Sequence, residues 1–144
     1  NIITITTMAT TTTTTTTTTI ITFDYRQIID NLCPDSFFTI SENDYSTLVW
    51  STNNTNSKPT EDEIISKNTD MINTFALDHL RMERDRLLNE SDRYSLPDFP
   101  HANDTIKNSW LIYRQNLRDI TTQNPTINLE TGELSNITWP TPPS

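Results

Sequence analysis

Glycine is almost missing from this chain: Gly132 is the single one in 144 residues. A loop that cradles a nucleotide phosphate needs several glycines to bring backbone N–H groups close, so this chain lacks the material for one. Cysteine is equally scarce. Cys33 alone cannot form an internal disulfide, and it fits a reducing cytoplasm. His79 and His101 are isolated in sequence, with no partner at metal-ligand spacing, so neither a metal nor a cofactor is expected. No Gly-x-Ser-x-Gly or comparable nucleophile setting occurs, and the abundant carboxylates read as helix surface rather than as a catalytic pair. These absences favour a non-enzymatic protein with no catalytic residues.

Positive charge is also short. Ten Lys and Arg stand against nineteen Asp and Glu, for a formal net charge of −9. Residues 1–60 hold five acids and two bases, residues 61–120 twelve and eight, and residues 121–144 two acids alone. No segment is net basic, so neither nucleic acid nor an anionic membrane is an expected partner. No apolar run approaches the length of a membrane span, and Met8-Ala9 lacks the basic and apolar regions of a signal peptide. The apolar fraction of 33% is low, with Asn, Thr and Asp filling the gap, which suggests a modest core and long polar connections.

Residues 10–19 are an unbroken threonine tract. It reads either as an extended tether or as an arm that adds to a partner's sheet edge. Met8 is a natural start, which would make residues 1–7 upstream sequence; processing of a longer precursor is equally compatible with the chain. Asp24, Tyr25, Ile28, Ile29 and Leu32 have the spacing of a short amphipathic helix stopped by Pro34. Phe37-Phe38-Thr39-Ile40 and Thr47-Leu48-Val49-Trp50 read as two strands around the turn Ser41-Glu42-Asn43-Asp44. Residues 51–58 are polar linker.

Thr60 and Glu63 then form a capping box, with an acidic first turn, and nothing breaks the helix before about Asp92. Such a helix spans roughly 48 Å, so its N-terminal half is a candidate contact surface. Arg81 with Asp85 and Arg86 with Glu90 are spaced for i,i+4 ion pairs. The stretch Leu96-Pro97-Asp98-Phe99-Pro100 stops the helix, and Asn103 or Asp104 caps a second one. Ile106, Trp110, Tyr113, Leu117 and Ile120 recur at 4, 3, 4, 3, a stripe to be buried. Ile127 and Leu129 before Gly132, with Ile137 and Trp139 after it, read as a β-hairpin. Pro140, Pro142 and Pro143 forbid further helix or strand and leave an extended tail, which either packs on its own domain or docks in a partner's groove. The expected fold is α+β: a small N-terminal helix and β-hairpin, a long helix folded back on a second helix as a helical hairpin, then a C-terminal β-hairpin and proline-rich tail.

Arg84-Asp85-Arg86-Leu87-Leu88 with Glu90, Asp92, Leu96-Pro97-Asp98 and Pro100 is followed by Trp110, Tyr113-Arg114-Gln115, Leu117-Arg118-Asp119 and Trp139-Pro140-x-Pro142-Pro143. This ordered set, over residues 80–144, resembles the tail assembly chaperone-like family of bacteriophages, and is similar to the C-terminal segments of tail fibre assembly proteins. Upstream, Tyr45-x-x-Leu48-x-Trp50 and Pro59-Thr60-x-x-Glu63 are similar to a segment that precedes this module in marine phage proteins. The threonine tract lies outside the pattern, and Arg93-Tyr94 follows Asp92 where a tryptophan is common. The expected organisation is a poly-Thr arm over 1–19, a small α/β segment and linker over 20–58, and, by the resemblance, a chaperone-like module over 59–144. The resemblance implies a phage tail or tail-fibre protein as partner, bound in the host cytoplasm during assembly. Trp139, Pro140, Pro142 and Pro143 are the candidate partner-binding residues. Members are also found in virions, so the alternative is a structural subunit, anchored by the arm and compatible with a homo-oligomer in the particle.

Overall fold

The computed structural model describes residues 23–144; the threonine tract and the Met8 start lie outside them. The chain divides into two compact units, one ending at Ile72 and the other spanning Asn73–Ser144. The architecture is α+β, as the sequence led us to expect, with three α-helices and two small antiparallel hairpins among the described residues.

In the first unit, α1 (Tyr25–Leu32) starts at Asp24, whose side chain accepts from the Arg26 N–H at 2.8 Å. β1 (Phe38–Ser41) pairs with β2 (Asp44–Trp50), with Phe38 opposite Trp50 and Thr39 opposite Val49. The turn is tighter than the four residues read from sequence. Glu42 and Asn43 form its tip at φ 52° and 56°, and β2 already begins at Asp44. The Thr47 hydroxyl closes it by donating to the Asp44 carbonyl at 2.7 Å and accepting from the Ser41 N–H at 2.9 Å. Asn43 also ties the turn to α1, its Oδ1 accepting from the Tyr25 N–H at 2.9 Å.

Tyr25, Ile28, Ile29, Leu48 and Ile64 form this unit's core, with Phe38, Ile40, Tyr45, Trp50 and Met71 packed around it. Ile64 and Met71 come from α2 (Glu61–Glu90), so the first turns of the long helix spend their apolar side on this chain's own core. Buried Asn68 accepts from the Phe23 N–H at 3.3 Å, which explains a polar residue inside the stripe. The capping box is present: Glu63 N–H donates to Thr60 Oγ1 at 3.2 Å, and Thr60 N–H donates to the Glu63 carboxylate at 2.7 Å.

The second unit holds the rest of α2, a 3-10 turn at Asp92–Ser95, α3 (Asp104–Asp119), a second 3-10 turn at Ile120–Thr122, and strands β3 (Thr126–Ile127) and β4 (Leu134–Ser135). Asn103 is the α3 cap, its Oδ1 accepting from the Ile106 N–H at 3.0 Å. Ala76, Leu80, Tyr113, Leu117 and Ile120 are buried, so the 4, 3, 4, 3 stripe faces a core. Trp110 is only half-buried and stacks flat on Tyr94, with ring centroids 3.8 Å apart.

The C-terminal hairpin is shorter than its sequence pattern. Only Thr126–Ser135 and Ile127–Leu134 pair, and the Gly132 N–H closes the loop on the Asn128 carbonyl at 2.7 Å with φ 73°. Ile137 and Trp139 are not in a strand. Asn136, at φ 62°, turns the chain away from the ladder, and its amide donates to the Asn124 carbonyl at 2.7 Å.

Candidate functional site: the Trp139 groove

Beyond Asn136 the backbone is irregular, yet it is held. The Gln123 side-chain amide clamps Thr138 twice: Oε1 accepts from the Thr138 N–H at 2.8 Å, and Nε2 donates to its carbonyl at 3.2 Å. This side chain replaces a missing strand neighbour, satisfying one backbone donor and one acceptor of an otherwise unpaired segment. The clamp sets the next residue, Trp139, into the wall of an open groove of about 800 Å³. Leu134 and Ser135 of β4 also line the groove, as do Asn128, Gly132 and Glu133 of the hairpin loop. The opposite wall is α2, through His79, Met82, Glu83 and Arg86. Of the four tail residues singled out from sequence, Trp139 lines the groove. Pro140 and Pro143 are half-buried, and Pro142 is exposed beyond it.

Met82 is 64% exposed in this wall although it sits mid-helix. One turn before it, His79 packs on Phe75 with ring centroids 4.5 Å apart, and Phe75 is itself 37% exposed. Residues 75, 79 and 82 share one side of a helix, so α2 carries an apolar stripe that this unit leaves partly uncovered. Sequence reading passed over Met82 because it lies among charged residues. The signal was its spacing to Phe75 rather than its neighbours.

The arginine-rich segment of α2 is mostly surface ion pairing. Arg86 donates through Nε to Glu83 at 2.9 Å and through Nη1 to Glu90, the i,i+4 pair expected from spacing. The expected Arg81–Asp85 pair is not made: Arg81 reaches back to Asp78 at 2.8 Å, and Asp85 is taken by Arg84 at 2.7 Å. Hydrogen bonds from Arg86 hold the Glu83 carboxyl below its ordinary range, and the two carboxylates raise the Arg86 guanidinium above its own. These pairs are half-exposed and screened by solvent, so they add little to stability.

One arginine differs in kind. Arg114, in α3, has its side chain only 8% exposed. Its Nη1 donates to the Leu88 carbonyl at 2.7 Å and to Ser91 Oγ at 3.0 Å, and Nη2 donates to Asp92 Oδ1 at 2.8 Å. The last carbonyls of a helix lack internal partners and carry the negative end of its dipole, so a guanidinium there serves as a C-cap. Glycine commonly ends helices. This chain has none in the sequence that follows the end of α2 at Glu90 until Gly132, and Arg114 takes the part from another helix. Beside it, burial pushes the Tyr113 hydroxyl up, with the charge of Glu90 adding to the effect.

Among the described residues, no group of three His, Cys, Asp or Glu is placed to hold a metal ion, and no helix is long and apolar enough to cross a membrane. The groove, its tryptophan and the Arg114 cap all lie in one segment of the chain, and that segment has relatives. Residues 77–144 match the family described as phage tail assembly chaperone protein. This is the family that the C-terminal motifs resemble, and its description ties the matched segment to phage tail assembly. Arg84 to Asp92, the Pro97 link, Trp110, Arg114 and the Trp139-Pro140 end all fall inside the match. Comparison with curated proteins and with solved structures returns no match.

Proposed function

We propose that this chain is a non-enzymatic bacteriophage protein that binds a tail or tail-fibre polypeptide and assists its folding or assembly. The observation that carries the reading is the groove between Met82 and Trp139, where an exposed methionine and a tryptophan stand in a mixed polar and apolar lining inside the family-matched segment. Exposed apolar side chains in a concave surface are a ready binding site for another chain's apolar segment. Trp139 supplies the anchor, and Pro140, Pro142 and Pro143 continue it as a stiff edge that loses little entropy on docking. In this reading α3 returns along the last turns of α2 as a helical hairpin. The Arg114 bond to Leu88 and the influence of Glu83, Arg86 and Glu90 on Tyr113 support that arrangement. The protein acts in the host cytoplasm while tails are being built.

The test is affinity capture of the tagged full-length chain from phage-infected cells, alongside mass spectrometry of purified particles. A tail or fibre polypeptide copurifies with the wild type and is lost with Trp139→Ala. Deleting residues 139–144 leaves the Gln123–Thr138 clamp in place, so the truncated protein stays folded and loses its partner. Near-stoichiometric copies in mature virions would sink the transient helper and favour a structural subunit anchored by its N-terminal arm.

A further inference from the structure

The chemistry of the groove narrows what it can hold. The α2 side of the groove carries His79 and the exposed Met82, and the hairpin and tail side carries Leu134 and Trp139. Methionine and tryptophan walls accept varied apolar side chains, so shape alone selects weakly. Charge selects more sharply. Arg86 is shared by Glu83 and Glu90, two carboxylates against one guanidinium, which leaves that cluster net negative. Glu133, on the facing rim, has the Thr131 hydroxyl at 3.4 Å as its side-chain partner and no ion pair among the described residues. Beyond Arg118 the sequence contains Asp119, Glu130 and Glu133 and no Lys or Arg, so the hairpin and tail add no positive charge. On the lining itself the carboxylates of Glu83 and Glu133 outnumber the Arg86 guanidinium, which biases the groove toward cations.

We propose that the groove takes a basic amphipathic segment of a partner polypeptide, with apolar anchors against Met82 and Trp139 and Lys or Arg facing Glu133 and the Glu83–Arg86–Glu90 cluster. This rests on the groove being the partner site, as put forward above, and adds the partner's charge to it. A second copy of this chain is a poor occupant, because a two-fold contact would set the same acidic rims against each other.

Three labelled peptides of equal length, sharing one leucine face and differing only in having Lys, Glu or Ser on the other, are titrated into the full-length chain by fluorescence anisotropy. The Lys peptide binds, weakens as salt is raised, and outcompetes the Ser and Glu peptides. Glu133→Lys, a change on the exposed rim, weakens it by roughly three- to tenfold. Met82→Ala and Trp139→Ala each weaken it about tenfold, with circular dichroism unchanged. Equal binding of the Lys and Glu peptides would leave the groove standing and overturn the charge assignment. Lys-peptide binding that ignores Met82→Ala and Trp139→Ala would overturn the proposal, since it would mark mere attraction to an acidic surface. Self-association of the free protein that is abolished by Met82→Ala would overturn it in favour of a second copy. Failure of all three peptides would also overturn it, while capture of a tail polypeptide from infected cells tests the parent reading separately.

Discussion

Replacing Arg114 by methionine keeps most of the buried stem and removes the guanidinium that caps α2. Three hydrogen bonds go with it: to the Leu88 carbonyl, to Ser91 Oγ and to Asp92. The second is buried and the first partly so, and a charged donor in such surroundings contributes about 1.5–3 kcal/mol per bond. The third contributes little, because the Asp92 side chain is 72% exposed and its charge is screened by solvent. Against this stands the burial cost of the guanidinium, whose Nε makes no hydrogen bond within the protein and which methionine relieves. Ser91 Oγ still donates to the Leu87 carbonyl at 2.7 Å, so the hydroxyl is not orphaned, whereas the Leu88 carbonyl loses its strongest partner. The balance is a destabilisation of about 2–3 kcal/mol. Guanidinium unfolding followed by circular dichroism reads it as a lower midpoint at unchanged slope. Arg114→Lys supplies one point charge in place of a fork and falls between the wild type and Arg114→Met. Asp92→Asn costs less than about 0.5 kcal/mol. An Asp92→Asn loss equal to that of Arg114→Met would refute the reasoning, since the arginine would then act through a surface ion pair and not as a cap.

Thr60→Ala removes the capping hydroxyl at the start of α2 and costs about 1 kcal/mol by the same denaturation assay. The Glu63 carboxyl is held below its usual range by the Thr60 N–H and hydroxyl, so its contribution is present above the ordinary carboxylate pKa and is lost as pH falls through the folded value. Glu63→Gln accordingly flattens the acid limb of a stability–pH curve. Burial, reinforced by Glu61, pushes the Tyr25 hydroxyl up to about 12, so its contribution is intact below the unfolded value near 10 and falls away as pH rises through the folded one. Tyr25→Phe removes that alkaline dependence between about 10 and about 12, checked by fluorescence-monitored unfolding across the range. Glu42 occupies a left-handed conformation at φ 52° that suits asparagine better, and Glu42→Asn raises stability by about 0.5–1 kcal/mol, measurable as a higher melting temperature.

Elements with local causes were legible in the sequence. The capping box at Thr60 and Glu63, the Asp24 and Asn103 caps, the stop around Pro97 and the α3 stripe all arise from interactions within a few residues. Each appears where the pattern put it. Apart from the Arg81–Asp85 pair, which gives way to other local pairings, the misread details have another origin. The Glu42-Asn43 tip depends on Thr47 bridging the strands and on Asn43 reaching Tyr25, contacts between segments that propensity does not contain. Ile137 and Trp139 alternate like a strand, but Asn136 at φ 62° and the Gln123 clamp set them outside the ladder. Trp139 and its prolines were identifiable from residue type, and Leu134 and Glu133 from their closeness to Gly132. Met82 had no such marker, because its exposure is a property of what the rest of the unit leaves uncovered.

The shortage of glycine ties these observations together. The sequence by itself determined that turns and helix ends could not rely on that residue, and it supplied Asn and Asp in its place. Asp35, Asn43 and Asn136 duly adopt positive φ, and Glu42 does so under strain. It also determined the helices and their caps, and residues 77–144 match a family described as phage tail assembly chaperone protein. Only the tertiary structure decided that Arg114 would end α2 from a different helix, and that Gln123 would hold Thr138 so that Trp139 faces Met82 across a groove. The physical reason is range. Caps and periodicity act over one or two helical turns, whereas a buried guanidinium and an uncovered methionine are defined by chain segments more than twenty residues away.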